Sequence, residues 1–132
     1  MEISVSKEQG KVPVTVFHVQ GVIGATEEQA LIQRAKDEQA AGMRNLLLDL
    51  AKVEYMSSSG LRAVHEIYMM LRSGSEESDT AVSKGIAAGT YMSPHLKLAN
   101  VNAKVKEVLH TSGFDMFLEI LPGQKEALAA FG

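Results

Sequence analysis

Ser57-Ser58-Ser59, directly ahead of Gly60, is the one concentrated run of modifiable side chains beside an apolar stretch in this chain. A serine nucleophile in a hydrolase elbow sits in Gly-x-Ser-x-Gly, where glycines make room for a sharp strand-to-helix turn. The residues two before each serine are Tyr55, Met56 and Ser57, so that pattern fails. The phosphate-cradling Gly-x4-Gly-Lys-Ser/Thr loop occurs nowhere. His18, His65, His95 and His110 are scattered without His-x3-His or His-Glu-x-x-His spacing. They read as satisfied or exposed histidines, and no metal site is expected. The chain has no cysteine, which excludes thiol catalysis, disulfides and Cys-ligated metals. Asp49 closes an apolar run, as a receiver phosphoacceptor would. That chemistry wants clustered acids after the first strand to hold Mg²⁺, and Gly21-Val22-Ile23-Gly24 supplies none. Asp49 is therefore expected to be a strand-end turn residue. No catalytic constellation emerges, and neither an enzyme nor a cofactor is expected.

What the serines can do is electrostatic. A helix start carries unpaired N–H groups and a partial positive charge, which stabilises an anion by about 0.3–1 kcal/mol. Arg62 would lie in the first turn, and no acid follows within three residues of any of the serines. A phosphate adding about −1.5 to −2 charges is compatible with a helix at that point. The plainer alternative is capping alone, with Ser58 or Ser59 supplying the capping oxygen.

The elements that must position these residues follow from periodicity. Residues 12–23 are rich in β-branched side chains between glycines, predicting a strand apolar on both faces with residues 3–5 as a short partner. Thr26-Glu27-Glu28-Gln29 fits a capping box with Thr26 as N-cap, opening a helix over about 27–41 that stops at Gly42. Asn45-Leu46-Leu47-Leu48-Asp49-Leu50 predicts a strand buried on both faces. Leu61, Val64, Ile67, Tyr68 and Leu71 have helical spacing, which makes the serines a helix start. The Met69-Met70 pair would place one side chain in the core. Residues 73–94 break the pattern and read as a long Ser/Gly-rich insertion, either solvated or a docking arm with Tyr91 and Met92 as contacts. A strand over 95–99, a helix capped by Asn102 and closed by Gly113, and a strand over 114–121 follow. A last helix begins at Pro122, with Ala127, Leu128 and Phe131 inward. Strands alternating with helices imply an α/β layer with largely parallel pairing.

The 132 residues suit one domain spanning 1–132. A net charge of −3 and 5% aromatic content disfavour a nucleic-acid surface. The N-terminus lacks the basic and apolar regions of a signal peptide, and no apolar run approaches a membrane span, so a cytoplasmic protein is expected.

The run Asn45-Leu-Leu-Leu-Asp-Leu-Ala-Lys-Val-Glu-Tyr-Met-Ser-Ser-Ser-Gly-Leu61 closely resembles the signature of the STAS domain of bacterial anti-sigma-factor antagonists. In that family a buried strand ends in Asp-Leu, and Asp-Ser-Ser/Thr-Gly-Leu then opens a helix. Val105, Val108, Leu109, Ser112, Gly113 and Phe114 resemble the later helix and its ending. The resemblance implies an α/β, STAS-type fold, a mixed and mostly parallel sheet of about four to five strands with about four helices mainly on one face. It also implies a phospho-switch, in which the unmodified protein binds an anti-sigma factor with serine kinase activity and phosphorylation ends the binding. The modified residue would be Ser58, ahead of Ser57 and Ser59 as less favoured positions. Ser57, Ser59, Gly60, Leu61, Arg62, Gly24, Ala25 and Thr26 would bind the partner. Two departures stand out: Ser57 replaces the family's usual Asp, and Gly21-Val22-Ile23-Gly24 lacks both acids of the usual Gly-Glu-Ile/Leu-Asp turn. A STAS scaffold that is not phosphorylated, a transporter-associated module and a small-ligand or nucleotide-binding STAS domain stay open as alternatives.

Overall fold

The computed structural model describes residues 1–73 and 91–132. Its strands are β1 (Glu2–Gln9), β2 (Pro13–Ile23), β3 (Leu46–Met56), β4 (Leu96–Ala99) and β5 (Glu119–Leu121). The helices are α1 (Glu28–Ala40), α2 (Ser58–Ser73), α3 (Ala103–Thr111) and α4 (Gln124–Ala130), with a 3-10 turn at Phe114–Met116. The sheet order is β1-β2-β3-β4-β5; only the β1–β2 pair is antiparallel. The expected α/β architecture is therefore present.

That strand order explains where the helices lie. Each parallel step moves one strand in the same direction, and right-handed crossovers in one direction put their helices on one face. Phe17, Val19, Leu46, Leu48 and Leu50 turn to that face and pack with Leu31, Val64, Ile67, Val105 and Leu109 of α1–α3. Among the described residues no crossover helix covers the opposite face. There α4 and the residue after it bring Ala127 and Phe131 onto Val14, Val16, Leu47 and Ala99. This explains why the first halves of β2 and β3 are apolar on both faces.

Several local expectations are corrected. The pairing partner of β2 is not a short piece over residues 3–5 but the full β1, from Glu2 to Gln9. Thr26 does not cap α1: the N-cap is Glu27, without a side-chain cap hydrogen bond, and the N–H groups of Glu27 and Glu28 both donate to the Gly24 carbonyl. The Glu27 carboxylate reaches back to the Gly24 N–H at 3.3 Å. Gly42 does terminate α1, at φ +111°. Asp49 is not at a strand end; it lies inside β3. Residues 114–121 form the 3-10 turn and the three-residue β5 rather than one strand, with Phe114 and Phe117 rings packed at 5.4 Å. The last helix is capped by Gly123, not started by Pro122.

Asn102 caps α3 as expected, its Oδ1 accepting from the Val105 N–H at 2.8 Å. Met69 is exposed and Met70 packs on the core. Residues 74–90 of the expected insertion lie outside the described residues. At its end Met92 is exposed, whereas Tyr91 packs on the core and receives a hydrogen bond from the Tyr68 hydroxyl at 3.0 Å.

Candidate functional site

Because β2 and β3 run parallel and end together at the Ile23–Met56 pair, the segments that follow them emerge side by side. This is the carboxyl edge of the sheet, where ligand and partner sites of open α/β sheets collect. Ser57 ties the two segments together. Its N–H donates to the Ile23 carbonyl at 3.0 Å and its Oγ donates to the same oxygen at 3.3 Å. The Oγ also accepts from the Gly60 N–H at 3.4 Å. Ser57 is thus the N-cap of α2, not Ser58 or Ser59. Gly60 follows because nothing larger fits: a Cβ there would stand 2.6 Å from the Ile23 carbonyl oxygen and 2.6 Å from Met56 Cγ.

The three serines consequently have three different fates. Ser57 is half-buried with both its proton and a lone pair engaged. Ser59 is 7% exposed, and its Oγ accepts from Arg62 Nη2 at 3.0 Å. Ser58 is exposed, and its hydroxyl makes no hydrogen bond among the described residues. Arg62 reaches across to the first turn of α1, pairing with Glu28 through Nε (3.4 Å) and Nη2 (3.3 Å). The acid-poor sequence around the serines is therefore not acid-poor in space, because α1 delivers Glu27 and Glu28 to the same edge.

Of the residues expected at a partner surface, Ala25, Thr26 and Arg62 are exposed, while Leu61 and Gly24 are half-buried. Ser59 and Gly60 are buried and support that surface from beneath. Leu61, Arg62, His65, Phe114 and Glu28 line a shallow hollow beside the start of α2.

A second polar cluster, which the sequence reading did not assemble, lies on the same sheet face as α4. Ser6 of β1 contacts His18 Nε2 at 3.1 Å, and His18 Nδ1 meets Asp49 Oδ2 at 2.9 Å. In the neutral imidazole with Nδ1–H donating to the carboxylate, Nε2 is left to accept the Ser6 hydroxyl proton. Asp49 Oδ1 also accepts from the Asn100 side chain at 3.0 Å and the Ala51 N–H at 3.1 Å. Asn100 reaches it from a left-handed backbone, φ 59°, a conformation asparagine tolerates better than most residues. Burial pushes the Asp49 carboxyl up, but hydrogen bonds from Asn100, Ala51 and His18, with the His18 charge, outweigh it and hold the group below its ordinary value. The sequence signal was a polar residue breaking an apolar run in each of two adjacent strands. Among the described residues, no three His, Cys, Asp or Glu are placed to hold a metal.

Comparison with known proteins gives a consistent result. The model of the STAS domain family matches residues 5–76. A Bordetella bronchiseptica protein, BtrV, carried as a candidate anti-sigma factor antagonist, is 26% identical over 131 residues, covering 99% of this chain and 95% of that protein. An anti-sigma factor antagonist from Mycobacterium paratuberculosis has a similar structure, with TM-score 0.68 and 21% identity over 98% of this chain and 93% of that one. The antagonist SpoIIAA in its unphosphorylated form shares the fold at TM-score 0.59 and 10% identity, covering 96% and 93% of the two chains.

Proposed function

The chain belongs to the STAS domain family, and on that premise we propose that it is an anti-sigma-factor antagonist-like regulator whose binding surface is the carboxyl edge of the sheet and the start of α2. It binds an anti-sigma factor that is also a serine kinase, and phosphorylation of Ser58 ends the binding. It performs no catalysis itself and works in the cytoplasm. Among the described residues no helix is long and apolar enough to cross a membrane.

One observation carries the reading: of three consecutive serines, only Ser58 presents an exposed hydroxyl without a hydrogen bond. Modifying Ser57 would sacrifice the cap and its tie to Ile23, and modifying Ser59 would require drawing a buried side chain out from under Arg62. Ser58 can take a phosphate with the fold intact. A partner seated over Ala25, Thr26, Leu61 and Arg62 would then meet a dianion in a closed interface, where repulsion and desolvation oppose binding. The names of the relatives, anti-sigma factor antagonists in both bacteria and in SpoIIAA, support the same partner class.

The test is incubation with ATP and an anti-sigma kinase from the same organism, followed by mass spectrometric location of phosphate. Phosphate on Ser58, with loss of the complex, is expected. Phosphate on Ser57 or Ser59 alone sinks the assignment. No phosphate, from a kinase active on another substrate, favours a STAS scaffold that binds without being switched; Ser57 in place of the family's usual acid is the feature that would fit it.

A further inference from the structure

We propose that Arg62 is a receptor built into the protein for the phosphate carried by Ser58, already aimed at it before modification. The inference deepens the reading of Ser58 as the modified residue and rests on it. Residues four apart on a helix are neighbours, with Cβ atoms about 5–6 Å apart, so Ser58 and Arg62 share one face of α2. Arg62 is exposed, yet its side chain folds back along the helix. Its Nη2 already contacts the Oγ of Ser59, the neighbour of Ser58, at 3.0 Å, which places the guanidinium back over the first turn.

The plane of that guanidinium is set from outside the helix. Glu28, on α1, takes the Nε and Nη2 edge with both carboxylate oxygens. A guanidinium has five N–H donors in a fixed fork. Glu28 and Ser59 together use Nε and Nη2, and Nη1 makes no hydrogen bond among the described residues. The unspent Nη1 can therefore donate to a phosphate oxygen while Glu28 stays where it is, a charge-assisted contact stronger than one between neutral groups.

The consequence is a modification held against its own helix. The nearly neutral Arg62–Glu28 pair becomes a compact, net negative ternary cluster on the partner surface. The phosphate, clasped by Arg62, is ordered rather than swinging freely, so the altered surface has one shape as well as a new charge.

The test needs no kinase. Phosphoserine is placed at position 58 of the full chain by genetic encoding, and the second ionisation of the phosphate is followed by ³¹P NMR against pH. Contact with Arg62 favours the dianion, so this pKa should lie lower in the otherwise native chain than in Arg62→Gln, by about half a unit or more. Arg62→Lys, which keeps the charge but not the fork, should fall between the two. Arg34→Gln removes the same charge from a distant, exposed position on α1 and should leave the titration as it was. Equal pKa values in the native chain, Arg62→Gln and Arg34→Gln would overturn the proposal. Because the phosphate is installed directly, that result is independent of whether a partner kinase chooses Ser58.

Discussion

Two polar clusters sit on the same sheet and spend their hydrogen bonds in opposite ways. In the Ser6–His18–Asp49–Asn100 cluster each named side chain is bonded to the next, across β1, β2, β3 and the turn after β4. Nothing of Asp49 is left over: it accepts from His18, Asn100 and Ala51. At the start of α2 the frame is equally committed through Ser57, Ser59 and Gly60, yet the Ser58 hydroxyl and Arg62 Nη1 remain unengaged on top of it. The lesson is that a constellation with catalytic-looking order can be a staple, while a plain hydroxyl on a rigid frame is the group available to do something.

Substitutions can break or sharpen this contrast, the largest first. Gly60→Ala strikes the frame beneath the site, where the added Cβ meets a backbone carbonyl that cannot rotate away. It should cost about 3 kcal/mol, the upper part of the overpacking range, read as a shift in urea midpoint. Asp49→Ala leaves Asn100, His18 and the Ala51 N–H without their acceptor and should cost about 1–3 kcal/mol. If it proves neutral, the cluster is no staple and the contrast collapses. Its pH dependence has a definite sign. A carboxyl lowered in the folded state stabilises fully above its ordinary pKa of about 3.9, and that contribution is lost as pH falls through the folded-state value. Stability measured from about pH 6 to pH 2 should therefore decline less steeply in Asp49→Asn than in the native chain.

Ser57→Ala removes the cap of α2 and should cost about 1 kcal/mol. Ser58→Ala, one residue on, should change stability by no more than about 0.5 kcal/mol, while abolishing phosphorylation. Adjacent serines with a stability effect on one and a signalling effect on the other would sharpen the contrast most. A reversed order would invert the roles assigned to them.

The sequence made the element order legible because most segments keep a clean period, as in Val64, Ile67, Tyr68 and Leu71 of α2. It shortened β3 because the strand does not keep one. Register shifts opposite Gln20 and Ile23 turn its later buried residues to Leu50, Val53 and Met56, a spacing of three that resembles neither a regular strand nor a full helix. The serine run marked the site, but three identical side chains in a row carry nothing to say which one caps. That depends on the Ile23 carbonyl, 34 positions away. Glu27 and Glu28 were missed for the same reason, and the His18–Asp49 pair spans 31 positions between neighbouring strands. Local chemistry was readable; chemistry assembled by strand pairing was not.

The chain has three tyrosines and no tryptophan, so its ultraviolet emission comes from tyrosine alone. Tyr55 faces solvent, while Tyr68 and Tyr91 lie edge to face, ring centroids 6.4 Å apart, with their hydroxyls bonded. The protein thus carries its own optical gauge at the point where the chain returns to α2. Anything that loosens that return should change the emission of the pair without a label being added.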